Sequence, residues 1–558
     1  MLRRTVIALA AAVCTTLPML AGAQAPQVTF ERLLNAAAEP HNWLTYSGTY
    51  ESQRHSLLRQ VRPTNVTELE LKWVHQAQSL ESFETTPLVV DGIMYLTEAP
   101  NTAVALDAAT GRHFWRYQYD PSTDSRPCCG RVNRGLAILG DKVFMATIDA
   151  KLIAIDATNG QPVWTKTIAD PAEGYAMTLA PLAIKDKIIV GVAGGEYGIR
   201  GFISAYAAET GEEAWRFYTI PAPGEPGFET WEHGGDAWQH GGASVWLTGS
   251  YDADLDLTYW GIGNPGPDWN PAQRPGDNLY SDSVVALDPD TGELEWHFQF
   301  TPNDDYDYDA VQIPVLANVP GNDATSGKHM LWGNRNGFFY VLDRATGEYL
   351  SGKPFTKVTW TTGLDAKGRP MNMVTPTAEG VVVYPHLAGG TNWYSPSFSP
   401  STGLFYVSAW ENYGSIFRPQ EVEYIPGRQF VGGFPGGPIP GAANIPGIRR
   451  GPINNWTDAI GNGAVLALDP RTGEQRWRFP TTDVSSSGIL TTATDLLFTG
   501  SREGYFYALD ARSGELLWRA SVGGQGANGP MSYAVDGTQY VAVASGNGLF
   551  VFGLRERR

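Results

Sequence analysis

Cysteine is nearly absent from this chain. Its 558 residues hold three: Cys14, Cys128 and Cys129. There is no C-x-x-C-H, which excludes a covalently attached haem, and two adjacent cysteines with scattered histidines make no zinc site. Long apolar runs are missing too. The stretch Val6–Val13 falls well short of the ~20 residues needed to cross a bilayer. Positive charge is scarce, with 40 Lys and Arg against 58 Asp and Glu, a formal −18. An acidic surface argues against nucleic acid and suits either plain solubility or a basic protein partner at low salt. Nucleotide signatures fail on inspection. Gly261-Ile262-Gly263-Asn264-Pro265-Gly266 spells G-x-G-x-x-G, but Pro267 through Pro271 cannot open a helix to face a pyrophosphate. Gly321–His329 lacks the spacing and the Ser/Thr of a P-loop.

Residues 1–25 read as an export signal: Arg3 and Arg4, the apolar run, then Ala21-Gly22-Ala23-Gln24-Ala25. Cleavage there removes Cys14, takes the formal charge from −18 to about −20, and leaves Cys128-Cys129 in an oxidising compartment. Neighbouring Cα atoms lie ~3.8 Å apart, while disulfides prefer roughly 4.4–6.8 Å. A bond between these two would close a strained eight-membered ring that encloses no chain, and so would stabilise little. Strain held without a stability return points to function. Two free thiols side by side, or a redox-labile pair, is the alternative reading.

What the chain has in abundance is a repeat of strand, turn and tryptophan. Ala105–Gly111 is followed by Trp115, Ala154–Gly160 by Trp164, Ala205–Gly211 by Trp215, and Ala286–Gly292 by Trp296. Ala467–Gly473 is followed by Trp477 and Ala508–Gly514 by Trp518, while Val341–Gly347 lacks the tryptophan. The D-x-x-T-G element is turn chemistry between short alternating strands. A period near 50 residues suits one four-stranded propeller blade per repeat. The C-terminus offers three strands without a fourth (Ser532–Val535, Gln539–Ala544, Leu549–Gly553), and Leu69–Trp73 is a lone strand with the same tryptophan. Pairing them closes the ring, which predicts an all-β, eight-bladed propeller as a single domain over 26–558. Three insertions interrupt the repeat: Tyr218–Gly242, Gly263–Asp282, and 411–463 inside the sixth blade.

Chemistry concentrates in Thr301–Asp309, with four carboxylates in six residues. In extended backbone Asp305, Asp307 and Asp309 share a side, and such a cluster calls for a cation with oxygen ligands; an acidic surface loop is the alternative.

These pieces, with Trp43–Tyr50, Arg54–Leu58, Cys128–Arg134, Gly194–Gly201, Gly261–Pro267 and Asn334–Arg344, resemble the PQQ-dependent methanol/ethanol dehydrogenases, periplasmic quinoproteins, over essentially the whole chain past the signal. The resemblance implies a vicinal disulfide Cys128–Cys129 on one face of PQQ and Trp246 on the other. It implies that Glu84, Arg134, Thr178, Ser244 and Asn392 hydrogen-bond the cofactor, with Gly194 and Gly195 allowing close approach. Glu196, Asn264, Asp307 and Asp309 would bind a metal ion, Asp307 would be the general base, and Arg335 would stand beside the reactive carbonyls. Asp309 points to a lanthanide ion, with calcium as the alternative, because calcium-using relatives usually carry a small residue there. The expected activity is oxidation of a primary alcohol, with electrons passed to a separate soluble cytochrome c; a homodimer is left open.

Three departures bear on specificity. Ser485-Ser486-Ser487-Gly488 replaces a tryptophan-bearing segment, Ala193 replaces a serine, and the C-terminal aromatic of methanol-specific relatives has no counterpart. A sugar, polyol or aldehyde dehydrogenase is the near alternative. A non-catalytic envelope scaffold is the remote one, since it would need the repeats but not the site residues.

Overall fold

A computed structural model describes residues 27–319, 327–435, 462–481, 484–526 and 528–555. The expected signal segment, 1–25, and the distal part of the sixth-blade insertion lie outside the described residues.

The chain folds as expected into eight antiparallel blades. Blade one is Leu88–Val90, Ile93–Glu98, Thr102–Asp107 and His113–Gln118. Blades two to seven repeat this order, their first strands being Leu136–Leu139, Leu182–Ile184, Ser250–Asp252, Val315–Asn318, Ser397–Ser399 and Ile489–Thr492. Blade eight is made of Met531–Val535, Thr538–Ser545 and Gly548–Leu554, with the N-terminal Leu69–Gln76 as its outer strand. Trp73 thus sits opposite Val551, and closure leaves no unpaired blade. First strands of neighbouring blades touch one another and surround the axis.

The repeat signature is explained by how blades dock. Asp107 Oδ1 accepts hydrogen bonds from the backbone N–H of Ala109 and Thr110, which shapes the turn and leaves Gly111 at φ +74°. A Cβ on Gly111 would stand 2.6 Å from the Trp73 ring. Glycine is required there twice over, by its dihedral and by the ring lying on it. The same contact recurs between Trp115 and Gly160, Trp164 and Gly211, Trp215 and Gly292, Trp296 and Gly347, and Trp477 and Gly514. Several indole N–H groups also donate to a backbone carbonyl of that next turn, Trp115 to Ala157 and Trp215 to Pro289 among them. The fifth blade lacks its tryptophan, and the aliphatic stem of Lys353 lies on Gly473 in its place. These six tryptophans are therefore inter-blade washers, and Trp73 carries the docking across the closure.

Antiparallel order also decides where a site can form. The start of a blade's first strand and the end of its second lie at the same end of the propeller. Residues entering first strands (Glu84, Arg134, Thr178, Ser244, Trp246, Asp307, Asp309, Asn392) and residues leaving second strands (Gly194, Glu196, Asn264, Arg335) are thus delivered to one face, around the axis.

Candidate active site

At that face lies a cavity of about 230 Å³. Of the residues singled out from sequence, Glu84, Cys128, Cys129, Arg134, Thr178, Gly194, Glu196, Trp246, Asp307, Asp309, Arg335 and Asn392 line it. Gly195, Ser244 and Asn264 stand just behind. A Cβ on Gly195 would lie 3.3 Å from Ser244 Oγ and 4.0 Å from Asn264 Oδ1. Cys128 and Cys129 are joined as a disulfide and open onto the cavity, where Glu196 Oε1 touches the Cys128 sulfur at 2.9 Å.

Gly194 and Gly195 open a single 3₁₀ turn, Gly195–Tyr197, that presents Glu196. Gly194 takes φ +118°, and a Cβ there would stand 2.2 Å from the Gly174 carbonyl oxygen. The close approach needing glycine at Gly194 is thus first to the protein's own backbone. Burial pushes the Glu196 carboxyl up to about 7, with Asp309 adding to the effect and Arg335 opposing it.

The acidic segment does not run as a simple extended strand. Asp307 has φ +62°, which breaks the two-residue alternation, and the expected convergence of Asp305 with Asp307 and Asp309 fails for that reason. Asp305 is buried away from the cavity, and burial pushes it up to about 7 against the pull of Arg274. Asp304 shapes the turn, accepting from the backbone N–H of Tyr306 at 3.0 Å and of Tyr308 at 2.6 Å. Asp307 and Asp309 do converge. Arg335 Nη2 lies 3.2 Å from Asp307 Oδ2, and Arg335 Nη1 pairs with Asp309 Oδ2. Asp309 Oδ1 accepts from the Asn264 backbone N–H at 3.0 Å. Burial drives the Asp307 carboxyl well above the ordinary range, and Arg335 pulls it back. Arg335, itself lowered by burial, is held above its usual value by the two aspartates.

A second guanidinium, Arg134, stands across the cavity. It pairs with Glu84 at 2.8 Å, donates to Thr178 Oγ1 at 2.8 Å, and lies 5.0 Å from the Trp246 ring centroid and 4.8 Å from that of Trp393. Sequence reading missed Trp393 and Tyr394, which also line the cavity; the only signal was their position directly after Asn392. Asn392 receives the Trp393 backbone N–H on its Oδ1 at 2.8 Å.

The sixth-blade insertion is, over its described part, a strap across the turns that carry Glu196 and Trp269. Phe430 N–H donates to the Glu196 carbonyl at 2.7 Å. Trp269 N–H donates to Val431 O at 3.0 Å, and Gln273 reaches Val422 O at 2.8 Å. Tyr424 and Phe430 close over Gly198, and Tyr424 stacks on His240 with centroids 4.2 Å apart.

The donor set suits the two groups the family resemblance calls for. Three carboxylates and an amide offer only hard oxygens, as a calcium- or lanthanide-sized cation prefers. Two guanidiniums, two indoles and a disulfide around one slot suit a flat, polyanionic ring system. Arg134 Nε is buried with no hydrogen-bond partner among the described residues, a donor left available inside the slot.

The comparisons agree. The family described as "Glucose/ethanol/alcohol dehydrogenase, beta-propeller domain" matches residues 43–359. A second family, "Outer membrane protein assembly factor BamB", matches only the terminal repeats, 461–555. The quinohemoprotein alcohol dehydrogenase ADH IIB of Pseudomonas putida is 38% identical, over 91% of this chain and 73% of its own length. The quinoprotein alcohol dehydrogenase PedH of Pseudomonas putida is 38% identical, over 95% and 90%. Among solved structures, a europium-containing methanol dehydrogenase superposes with a TM-score of 0.84 at 31% identity, covering 94% of this chain and all of the other. The Pseudomonas putida quinohemoprotein ADHIIG superposes at 0.86 and 34%, over 95% and 83%. The chain belongs to the PQQ-dependent quinoprotein alcohol dehydrogenases.

Proposed function

We propose that this protein oxidises a primary alcohol to the aldehyde in the periplasm, using PQQ and a lanthanide ion, and passes the electrons to a separate soluble cytochrome c. The observation that carries the reading is the meeting of Glu196, Asp307, Asp309 and Arg335 with the Cys128–Cys129 disulfide and Trp246 in one axial cavity. When bound, PQQ supplies a quinone that accepts two electrons, and the cation supplies positive charge beside it.

The chain's own residues take the remaining roles. Asp307 accepts the alcohol's hydroxyl proton on a carboxylate oxygen, and Arg335 at 3.2 Å favours its ionised form. Arg134, Thr178, Glu84, Ser244 and Asn392 hold the cofactor, with Gly194 and Gly195 beside it. Glu196, Asn264, Asp307 and Asp309 hold the ion. The lanthanide preference is supported by Asp309, which faces the cavity and is not turned out to solvent, and by the europium in a relative of the same fold. The export signal supports the periplasm.

The test is dye-linked oxidation by the purified chain reconstituted with PQQ and either lanthanum or calcium, across primary alcohols, polyols, sugars and aldehydes. Primary-alcohol turnover with lanthanum is the expected result. Turnover confined to sugars or aldehydes, or none with either ion, overturns the reading.

A further inference from the structure

The loop that carries the cysteine ring is gripped at both ends by one turn of the second blade. Residues 119–135 run from the last strand of blade one, His113–Gln118, to the first of blade two, Leu136–Leu139. Arg126, Cys128, Cys129, Gly130 and Arg131 are exposed. The polar contact that residues 126–131 make among the described residues is with Glu196 Oε1, 2.9 Å from the Cys128 sulfur and 3.8 Å from that of Cys129. The ring's place over the slot is therefore set mainly from the two ends of its loop.

Both ends reach the same turn, the one between Lys142–Ala146 and Lys151–Asp156. Asp149, 0% exposed, sits inside it. From the leading end, the Tyr119 hydroxyl donates to Asp149 Oδ2 at 2.8 Å, and the Ser122 N–H donates to the same oxygen at 3.1 Å. Ser125 Oγ donates to the Ile148 carbonyl. From the trailing end, Asn133 Nδ2 donates to Ala146 O at 2.8 Å. Thr147 Oγ1 donates to the other oxygen, Asp149 Oδ1, at 2.6 Å. Lys151 Nζ stands 3.4 Å from Oδ2 and donates to the Tyr119 hydroxyl at 2.6 Å. A buried carboxylate needs a set of donors such as this. An acid that only shaped its own turn would take them from that turn. Asp149 instead gives Oδ2 to two residues of the connecting loop.

We propose that Asp149 is a positioning residue for the cysteine ring: it ties the leading end of the loop to the second blade and so sets Cys128–Cys129 against the cofactor's face. The inference rests on the PQQ site assigned under the proposed function. Without Asp149, the loop beyond Tyr119 keeps only the Ser125 bond to this turn at its leading end. Loss of that bond as well would about double the untethered span, and the excursion of a flexible chain grows roughly as the square root of its length. A misplacement of about 1 Å within a site can cost about 100-fold in rate.

The experiment follows two rates in wild type, Asp149→Ala and Tyr119→Phe, with thermal melts alongside. The first is reduction of the ring by a water-soluble phosphine in the chain free of cofactor and metal, with the thiols of Cys128 and Cys129 counted by mass spectrometry. The second is release of PQQ from the loaded chain. Asp149→Ala should speed both about 10-fold, and Tyr119→Phe, which removes one hydroxyl, should speed both about 3-fold. A purely structural residue would lower the Tm and leave both rates unchanged well below the melt. A folded Asp149→Ala with either rate within two-fold of wild type overturns the inference. Should that variant fail to fold, Tyr119→Phe decides on the same threshold; failure of both to fold shows a structural residue and also overturns it. A wild type that binds no PQQ overturns the cofactor reading, and the phosphine rates then still decide whether Asp149 positions the ring.

Discussion

Arg335 Nη2 lies 3.2 Å from Asp307 Oδ2, and the same guanidinium holds Asp309 through its other arm. The pair that would move the proton and the pair that would anchor the ion share one cation, supplied by the fifth blade to a segment between the fourth and fifth. Separating those two jobs is the first task for mutagenesis.

Asp307→Asn keeps the size and one oxygen of the side chain but cannot take a proton. PQQ affinity should survive while the single-turnover rate falls about 100-fold or more. Equal turnover in the variant would remove Asp307 from the base role.

Asp309→Ala deletes the second carboxylate without touching Asp307. Lanthanum-supported activity should collapse, and calcium-supported activity should persist or improve, since the site would then carry one negative charge fewer. A wild type fully active with calcium and indifferent to lanthanum would contradict the assignment.

The cysteine pair closes no loop, so it contributes little to stability by constraining the unfolded chain. The double variant Cys128→Ser/Cys129→Ser should melt within a few degrees of wild type yet lose turnover. An unfolded variant, or a fully active one, would show that the disulfide has a different role.

Buried acid should make the metal-free protein sensitive to pH. Burial raises Glu196 to about 7 from 4.5, Asp304 to about 6 and Asp305 to about 7 from 3.8. Each keeps a proton in the folded chain at a pH where the unfolded chain has released it. The stability they lend is complete below about pH 4 and is lost as pH climbs to about 7. Depressed carboxylates such as Glu98, held down to about 2 although burial opposes its bonds to His75 and Arg116, act in the opposite sense and only below that window. The metal-free Tm should therefore fall between pH 4.5 and 7, and a bound cation should flatten the slope. A Tm that rises across that range would refute the burial argument.

The propeller and its closure could be read in advance because they rest on local rules. D-x-x-T-G makes a turn wherever it occurs, and a tryptophan after it needs only a glycine on the next blade. Much of the site could be read for the same reason, since its short segments carry distinctive chemistry in a fixed order. Asp305 could not, because one left-handed residue, Asp307, reverses which side its neighbours face, and nothing in D-D-Y-D-Y-D announces it. Trp393 was lost among 18 tryptophans, and the strap's grip on Glu196 joins residues more than 200 positions apart.

The eighth blade has a consequence for how the protein comes into being. Leu69–Gln76 pairs along its length with Gly548–Leu554, so a chain delivered from its N-terminal side stays an open arc, with bare strand edges at both ends, until Gly548–Leu554 is free. Such edges invite pairing with other chains, which makes the interval before closure the vulnerable stage of biogenesis.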